Sequence, residues 1–343
     1  MRRWVKLSVL GVAVLGLVGY CGKPYATDWW VARQACGGVL PDGVVDELNP
    51  DGKRLEAAEE KRIEGLASYY CSVTYDSGGT RSGTVVEVGA YTHRDQVDNE
   101  FWRVFENEGW TEMGLLPGGL PGITDQFGAV QLLRNCPALG KDDDGRPRRM
   151  LVRATAGYDE NVNAKDAVLR AAVAVANHAA QELGCGASPL KTPAHALSRT
   201  ARPVPVHEAR DTGCGFLADA GLPAGTTVRS KAASAGPAAR CELFFRAGYD
   251  PAGDELAADE YGRPDAMFGA WYGDWSNRLV AYDGKRHSGT SAARCDGEDA
   301  NFSGWANDDT GLSDRRVREL VRAFAQDQGE RRGCTDVHAV QPG

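Results

Sequence analysis

The sequence predicts an α+β chain: an N-terminal transmembrane helix, then two tandem disulfide-bonded modules, each an antiparallel sheet with packed helices. Three observations predict it. The only long apolar run, Leu7 to Tyr20, follows the basic residues Arg2, Arg3 and Lys6. Eight of the nine cysteines fall into two sets of four in an otherwise globular composition. Each set runs in the same order of contexts: loop, strand, strand end, helix end.

The first element is the anchor, residues 1–30. Its apolar run is short for a membrane span and long for a signal-peptide core. Trp4 and Val5 extend it if Lys6 reaches back to the inner interface. Tyr25, Trp29 and Trp30 then fall where an outer aromatic belt sits, and the basic end stays inside. Residues from about 22 onward therefore face out. Cleavage as a secretory signal needs small residues that Tyr20 and Pro24 interrupt, and lipidation at Cys21 is opposed by bulky Tyr20. All three fates, with the uncleaved anchor favoured, place the body outside the cytoplasm.

The first module spans 31–185 and holds Cys36, Cys71, Cys136 and Cys185. The second spans 210–335 and holds Cys214, Cys241, Cys295 and Cys334. Gaps between successive cysteines are 35, 65 and 49 residues in the first set and 27, 54 and 39 in the second. Such parallel shrinkage predicts an internal duplication. Residues 186–209, rich in Pro, Ala and Ser, read as a semi-stiff linker, and 336–343 as a tail.

Within the first module, "LPDGVVDELN" predicts a short helix. Strands are expected over 67–75 and 83–91, and a helix over 93–107 with Val97, Phe101 and Phe105 on one face. A Gly/Pro-rich loop, "LLPGGLPGITD", follows. "FGAVQLLRNC" and "RMLVRATAGY" read as paired strands joined through an Asp-Gly turn. A helix over about 164–183 presents Val168, Ala172, Val175, Ala179 and Leu183, with Asn163 as its cap. In the second module "NFSGWAN" reads as a strand. Ser313 caps a helix whose buried face is Val317, Leu320, Val321 and Phe324.

The strand and helix lengths also predict the cysteine pairing. The strand ending at Cys136 reverses through the hairpin, and the following helix runs back. A helix of twenty residues and a strand of nine both span about 30 Å. Cys185 therefore arrives at the end of the sheet where Cys136 lies, and Cys334 likewise meets Cys295. By elimination Cys36 pairs with Cys71 and Cys214 with Cys241. The Cys36-Gly37-Gly38 run is then structural, not a reactive thiol.

Little in the chain points to chemistry. Net charge is −8, and −11 without the three N-terminal basic residues, so nucleic acid is excluded as a partner of the body. No zinc pairs, Walker loop, dinucleotide fingerprint or nucleophile elbow occurs, and no cofactor is expected. "SPLK" at 188–191 matches a Ser-Lys motif by letters alone, and His178 reads as a packed helix residue. "DDDG" at 142–145 lacks the calcium-loop pattern and reads as a hairpin tip. The arginines of "SDRRVRELVR" read as the outer face of an amphipathic helix. Trp271, Tyr272 and Trp275, with Tyr282 nearby, form the one aromatic cluster that could stack a glycan or peptide ligand; Phe101, Trp102 and Trp110 crowd a segment of the first module.

The anchor, the "CGGVLP" and "CGFLAD" module starts, the strand cysteines and the "ELGC" and "ERRGC" helix ends together resemble exported proteins of actinobacteria. Those families are tethered to the membrane or lipidated and have no established activity. The resemblance implies compartment and fold style, and no catalytic residue. The sequence therefore leads to a non-enzymatic, membrane-anchored protein that binds, senses or scaffolds at the bacterial cell envelope. Its expected partners are the membrane and an envelope protein or glycan. The alternative is a cell-wall-directed hydrolase or transferase.

Overall fold

The structure, a computed structural model, describes residues 25–63, 67–79, 82–92, 113–125, 128–143, 145–157, 164–193, 202–232, 236–245, 264–279 and 290–339. The expected helix over 93–107, the aromatics Phe101, Trp102, Trp110 and Tyr282, the Asn163 cap and the apolar run 7–20 lie outside these residues. The chain divides into two compact units, Met1–His93 with Gly128–Thr192, and Arg94–Phe127 with Pro193–Gly343. It is α+β, with antiparallel sheets and four disulfides.

In the first unit a helix α1 (25–34) leads into a 3-10 turn at Ala35–Gly38 and a short helix α2 (Val44–Leu48). The strands are β1 (Leu55–Ile63), β2 (Ser68–Tyr75), β3 (Gly83–Tyr91), β6 (Val130–Asn135) and β7 (Arg149–Ala156). Within the unit they lie in the order β1-β2-β3-β7-β6, all antiparallel. The hairpin of β4 (Met113–Leu115) and β5 (Gly122–Asp125), expected to be loop, belongs to the second unit.

Helix α3 (Ala164–Glu182) covers one face of the first sheet. Val168, Ala172, Val175 and Ala179 are buried at the predicted period, and Leu183, just past the helix end, is half-buried. The alanines let the helix approach Val88, Val152 and Ala154, which are also fully buried. Arg134 of β6 donates to the Ala176 carbonyl (3.3 Å) and to Asn177 Oδ1 (3.1 Å). Asn177 in turn holds both backbone groups of Leu190, at 2.9 and 2.7 Å.

The second unit contains β8 (Val204–Pro205), β9 (Thr227–Ala232), β10 (Ala238–Phe244), β11 (Ala266–Tyr272), β12 (Ser291–Cys295), β13 (Glu298–Ala306), helix α4 (Asp314–Arg332) and β14 (Thr335–Ala339). Its sheet order is β14-β12-β13-β11-β10-β9-β8. Ser313 caps α4 by accepting from the Arg316 amide at 3.3 Å, and Gly333 ends it at φ 64°. Val317, Leu320, Val321 and Phe324 are buried against Phe268, Phe302 and Leu217. Phe302 and Phe324 meet edge to face at 6.1 Å. Each such side chain contributes roughly 1.5–3 kcal/mol by leaving water.

The strand order β1-β2-β3-β7-β6 is matched, position for position, by β9-β10-β11-β13-β12. Cys71 and Cys241 occupy the second of these strands. Cys136 and Cys295 stand at the end of the fifth, and Cys185 and Cys334 just past the helix. The observed bridges are Cys36–Cys71, Cys136–Cys185, Cys214–Cys241 and Cys295–Cys334, with Cα separations of 5.2, 4.3, 5.7 and 4.2 Å. This is the pairing that the strand and helix lengths predict.

Two expectations are corrected. The linker over 186–209 is not uniformly unstructured: Leu190 is bound to Asn177, and Val204–Pro205 pairs with β9. The tail begins as a strand, because the Cys295–Cys334 bridge delivers residue 335 to the open edge of β12, where Thr335 pairs with Arg294. The expected membrane helix rests on the apolar run 7–20, which lies outside the described residues; among the described residues no helix is long and apolar enough to cross a membrane.

Candidate functional site

The aromatic cluster expected to stack a ligand is buried. Trp271 is 1% exposed, Trp275 3% and Tyr272 7%. For Trp271 and Tyr272 the reason is the position of β11 in the middle of the second sheet, where alternate side chains enter opposite, covered faces. Trp275 follows in the 3-10 turn Gly273–Leu279, which packs against β11 and β13. Tyr272 points to the helix side. Its ring meets Phe302 edge to face at 6.1 Å, its hydroxyl donates to Gln328 Oε1 at 3.3 Å, and the Arg332 guanidinium lies 3.5 Å above it. Burial pushes its phenol up to about 12, with Arg332 opposing and Asp327 adding. Trp271 turns to the other face. There its indole Nε1 lies 3.8 Å from where a side chain on Gly269 would begin. These residues pack the sheet and present no stacking surface. The eight cysteines are likewise structural.

Exposed aromatic surface is found instead on α1. Tyr25, Trp29 and Trp30 are 73%, 57% and 56% exposed. Tyr25 and Trp29 stand one turn apart on one helix face, with Trp30 beside them. Cations edge the stripe: Arg54 lies 5.0 Å above the Tyr25 ring and Arg33 5.1 Å above that of Trp29. Arg54 also pairs with Asp28 at 2.9 Å, fixing α1 to the turn before β1. Rings with an apolar body and a polar rim, flanked by guanidiniums, suit a boundary between water and hydrocarbon.

A second cluster lies on the face of the second sheet turned away from α4. Glu242 of β10 is fully buried and holds three cations: Arg229, Lys231 at 3.0 Å and Arg240 at 2.7 Å. Arg229 also sits 5.2 Å above the Phe244 ring. The ladder builds this group, since Arg240 faces Lys231 and Glu242 faces Arg229 across β9 and β10. Burial pushes the Glu242 carboxyl up, but Arg240, Lys231 and Arg229 outweigh it and hold it below the usual carboxylate range. Lys231 is pulled down instead, because burial and its two arginine neighbours exceed the attraction of the one carboxylate they share.

A third group lies in the first unit, beside the Cys36–Cys71 bridge. His178 Nε2 is 3.4 Å from Glu60 Oε1, and the imidazole meets the Tyr69 ring edge-on at 5.3 Å. Burial, then the Glu60 carboxylate, pushes the Tyr69 phenol well above its ordinary range. Gly37, at φ 70°, leaves room for these groups: a Cβ there would stand 3.0 Å from Glu60 Oε2 and 3.2 Å from His178 Nε2. Carboxylate, imidazole and phenol together could move a proton. No set of three or more His, Cys, Asp or Glu residues among the described ones is arranged to hold a metal ion.

No protein-family model, curated protein or solved structure matches this chain. The site rests on its geometry alone.

The α1 stripe was legible in the sequence because local spacing defines it. The Glu242 cluster was missed. Its signal was faint but present: "RSK" and "RCE" place charges at alternate positions of two strands, with only the small residues Ser230 and Cys241 between them. The Glu60–His178–Tyr69 group joins residues more than a hundred positions apart and left no local trace.

Proposed function

We propose that this chain is an extracytoplasmic, membrane-tethered protein of the bacterial cell envelope that binds, senses or scaffolds without catalysing a reaction. The observation that carries the reading is the exposed Tyr25–Trp29–Trp30 stripe on α1, placed directly after the apolar run 7–20. An interfacial helix there would seat the first unit at the outer surface, with Arg33 and Arg54 toward the headgroups. Four disulfides support an oxidising compartment. The shared strand order and cysteine placement support a duplicated module. Kinship with exported, tethered actinobacterial proteins is part of the same proposal.

The test is protease accessibility in intact cells. Protease added outside should destroy the body beyond residue 30 while leaving a membrane-retained N-terminal fragment. Replacing Tyr25, Trp29 and Trp30 together with serine should loosen α1 from the bilayer and expose it to cleavage. A body fully protected in intact cells with an accessible exterior would sink the proposal.

A cell-wall-directed hydrolase or transferase is the second reading, and the Glu60–His178–Tyr69 group is what favours it. Cell-wall turnover that falls with His178→Ala, at unchanged protein level, would move the assignment there.

A further inference from the structure

The outer face of α4 carries three arginines that the fold does not use. At 100° per residue, Arg315, Arg318 and Arg322 fall within about 60° of one another, opposite the buried Val317, Leu320, Val321 and Phe324. All three are exposed. The other arginines of the helix are engaged. Arg316 pairs with Glu319 at 3.1 Å and donates to the Ala220 carbonyl, and Arg331 pairs with Asp327 at 2.9 Å. Arg332 donates to the Gly236 carbonyl at 2.6 Å and covers the Tyr272 ring. Arg315, Arg318 and Arg322 make no hydrogen bond or ion pair with any described residue.

Three observations show that folding does not call for this row. Helix α3 holds the equivalent place in the first unit without one: its length is nearly all buried or half-buried, and its Arg170 pairs with Glu47. Arg315 stands in the first turn of α4, where the positive end of the helix dipole disfavours cations. Arg318 and Arg322 follow at i+3 and i+4, spacings at which like charges repel. The chain as a whole is acidic, with net charge −8 that repels a polyanion, so any attraction for one is confined to this local row.

We infer that this ridge is a docking surface for a linear polyanion that carries phosphate groups along its length. The row advances by about 4.5 Å and then about 6 Å along the helix axis, so successive guanidiniums can meet successive anionic groups of one extended chain. The guanidinium fork suits phosphate oxygens two at a time. A lipid surface fits less well. Helices that lie on membranes insert an apolar face, and the apolar side chains of α4 are buried on its own sheet. Single-stranded nucleic acid fits less well too, because α4 exposes no aromatic ring on which a base could stack. The inference is independent of the membrane reading of the N-terminus.

The test uses the full chain in detergent and inorganic polyphosphate, titrated over a range of salt. Binding should weaken with salt with a log–log slope of about −2 to −3, as expected for three phosphate contacts. The triple variant Arg315→Gln, Arg318→Gln, Arg322→Gln should lose about tenfold or more in affinity at low salt, and its slope should flatten by about 2. The matching triple lysine variant should keep most of the slope. Both should melt with the wild type, because the three side chains are exposed and pair with no described residue. Three results would each overturn the inference: no polyphosphate binding by the wild type, unchanged affinity and slope in the glutamine variant, or arginine-dependent capture by phosphatidylglycerol vesicles without polyphosphate binding.

Discussion

Replacing Glu242 with glutamine keeps the shape of the side chain and removes the one anion shared by Arg229, Lys231 and Arg240. All four groups lie within hydrogen-bond distance in a buried place. At an effective dielectric near 20, each ion pair is worth roughly 4–5 kcal/mol before desolvation is charged against it. Much of that is already offset by the burial of four ions. What the substitution exposes is the remainder: three cations left close together, with neutral hydrogen bonds in place of charge-assisted ones. Removing one partner from a buried ion pair costs about 3–5 kcal/mol, and the same range applies here. For a unit of this size that lowers the melting temperature by about 10 °C. Calorimetry of the full chain at pH 7 should show the loss in one unit while the other melts as before.

The pH dependence supplies an internal check. The folded pKa of Glu242 is depressed below its unfolded value, so its stabilisation is fully present above about pH 4.3. It is lost as pH falls through the lower folded value. The wild type should therefore show an acid limb below about pH 4 that the Glu242→Gln variant lacks. A variant melting within about 1 °C of the wild type at pH 7 would refute this account of the cluster.

Two further outcomes test the packing of the second unit. Gly304→Ala should destabilise it by about 1–3 kcal/mol, since a Cβ there would stand 2.5 Å from Phe268 Cδ1 and 2.8 Å from Val321 Cγ2, and chemical denaturation reads the loss directly. Converting both Cys295 and Cys334 to alanine opens a loop of separation 39 and should cost about 4 kcal/mol on the chain-entropy model. It should also raise the susceptibility of β14 to proteolysis.

Legibility followed sequence distance. Strands β2 and β3 lie within a residue of the expected spans, and the buried faces of α3 and α4 are the ones their periodicity marks. Each is an element whose apolar pattern matches the surface it covers. Strand β1 escaped notice because "LEAAEEKRI" is made mostly of helix-forming residues and is exposed along nearly its whole length. It is a strand because β2 offers a ladder of partners from Leu55 to Ile63, broken only by a bulge at Glu56, and tertiary pairing outweighs a weak local propensity. The hairpin β4–β5, hidden in a Gly/Pro-rich run, escaped for the same reason.

By itself the sequence determined the α+β class, the two four-cysteine sets, their pairing and the aromatic stripe after the apolar run. All of these depend on spacing along the chain, on helix and strand rise, and on composition. The tertiary structure alone decided which polar and aromatic groups meet, because a sheet brings together residues that no local pattern connects. It buried Trp271 and Tyr272 by placing β11 at the centre of its sheet, and Trp275 by packing the turn Gly273–Leu279 against β11 and β13. It gathered three cations on Glu242 through the register of β9 on β10, and it set His178 against Glu60 across a separation of 118 residues. It also left Arg315, Arg318 and Arg322 without a partner among the described residues, since only the packing of α4 decides which of its arginines find one.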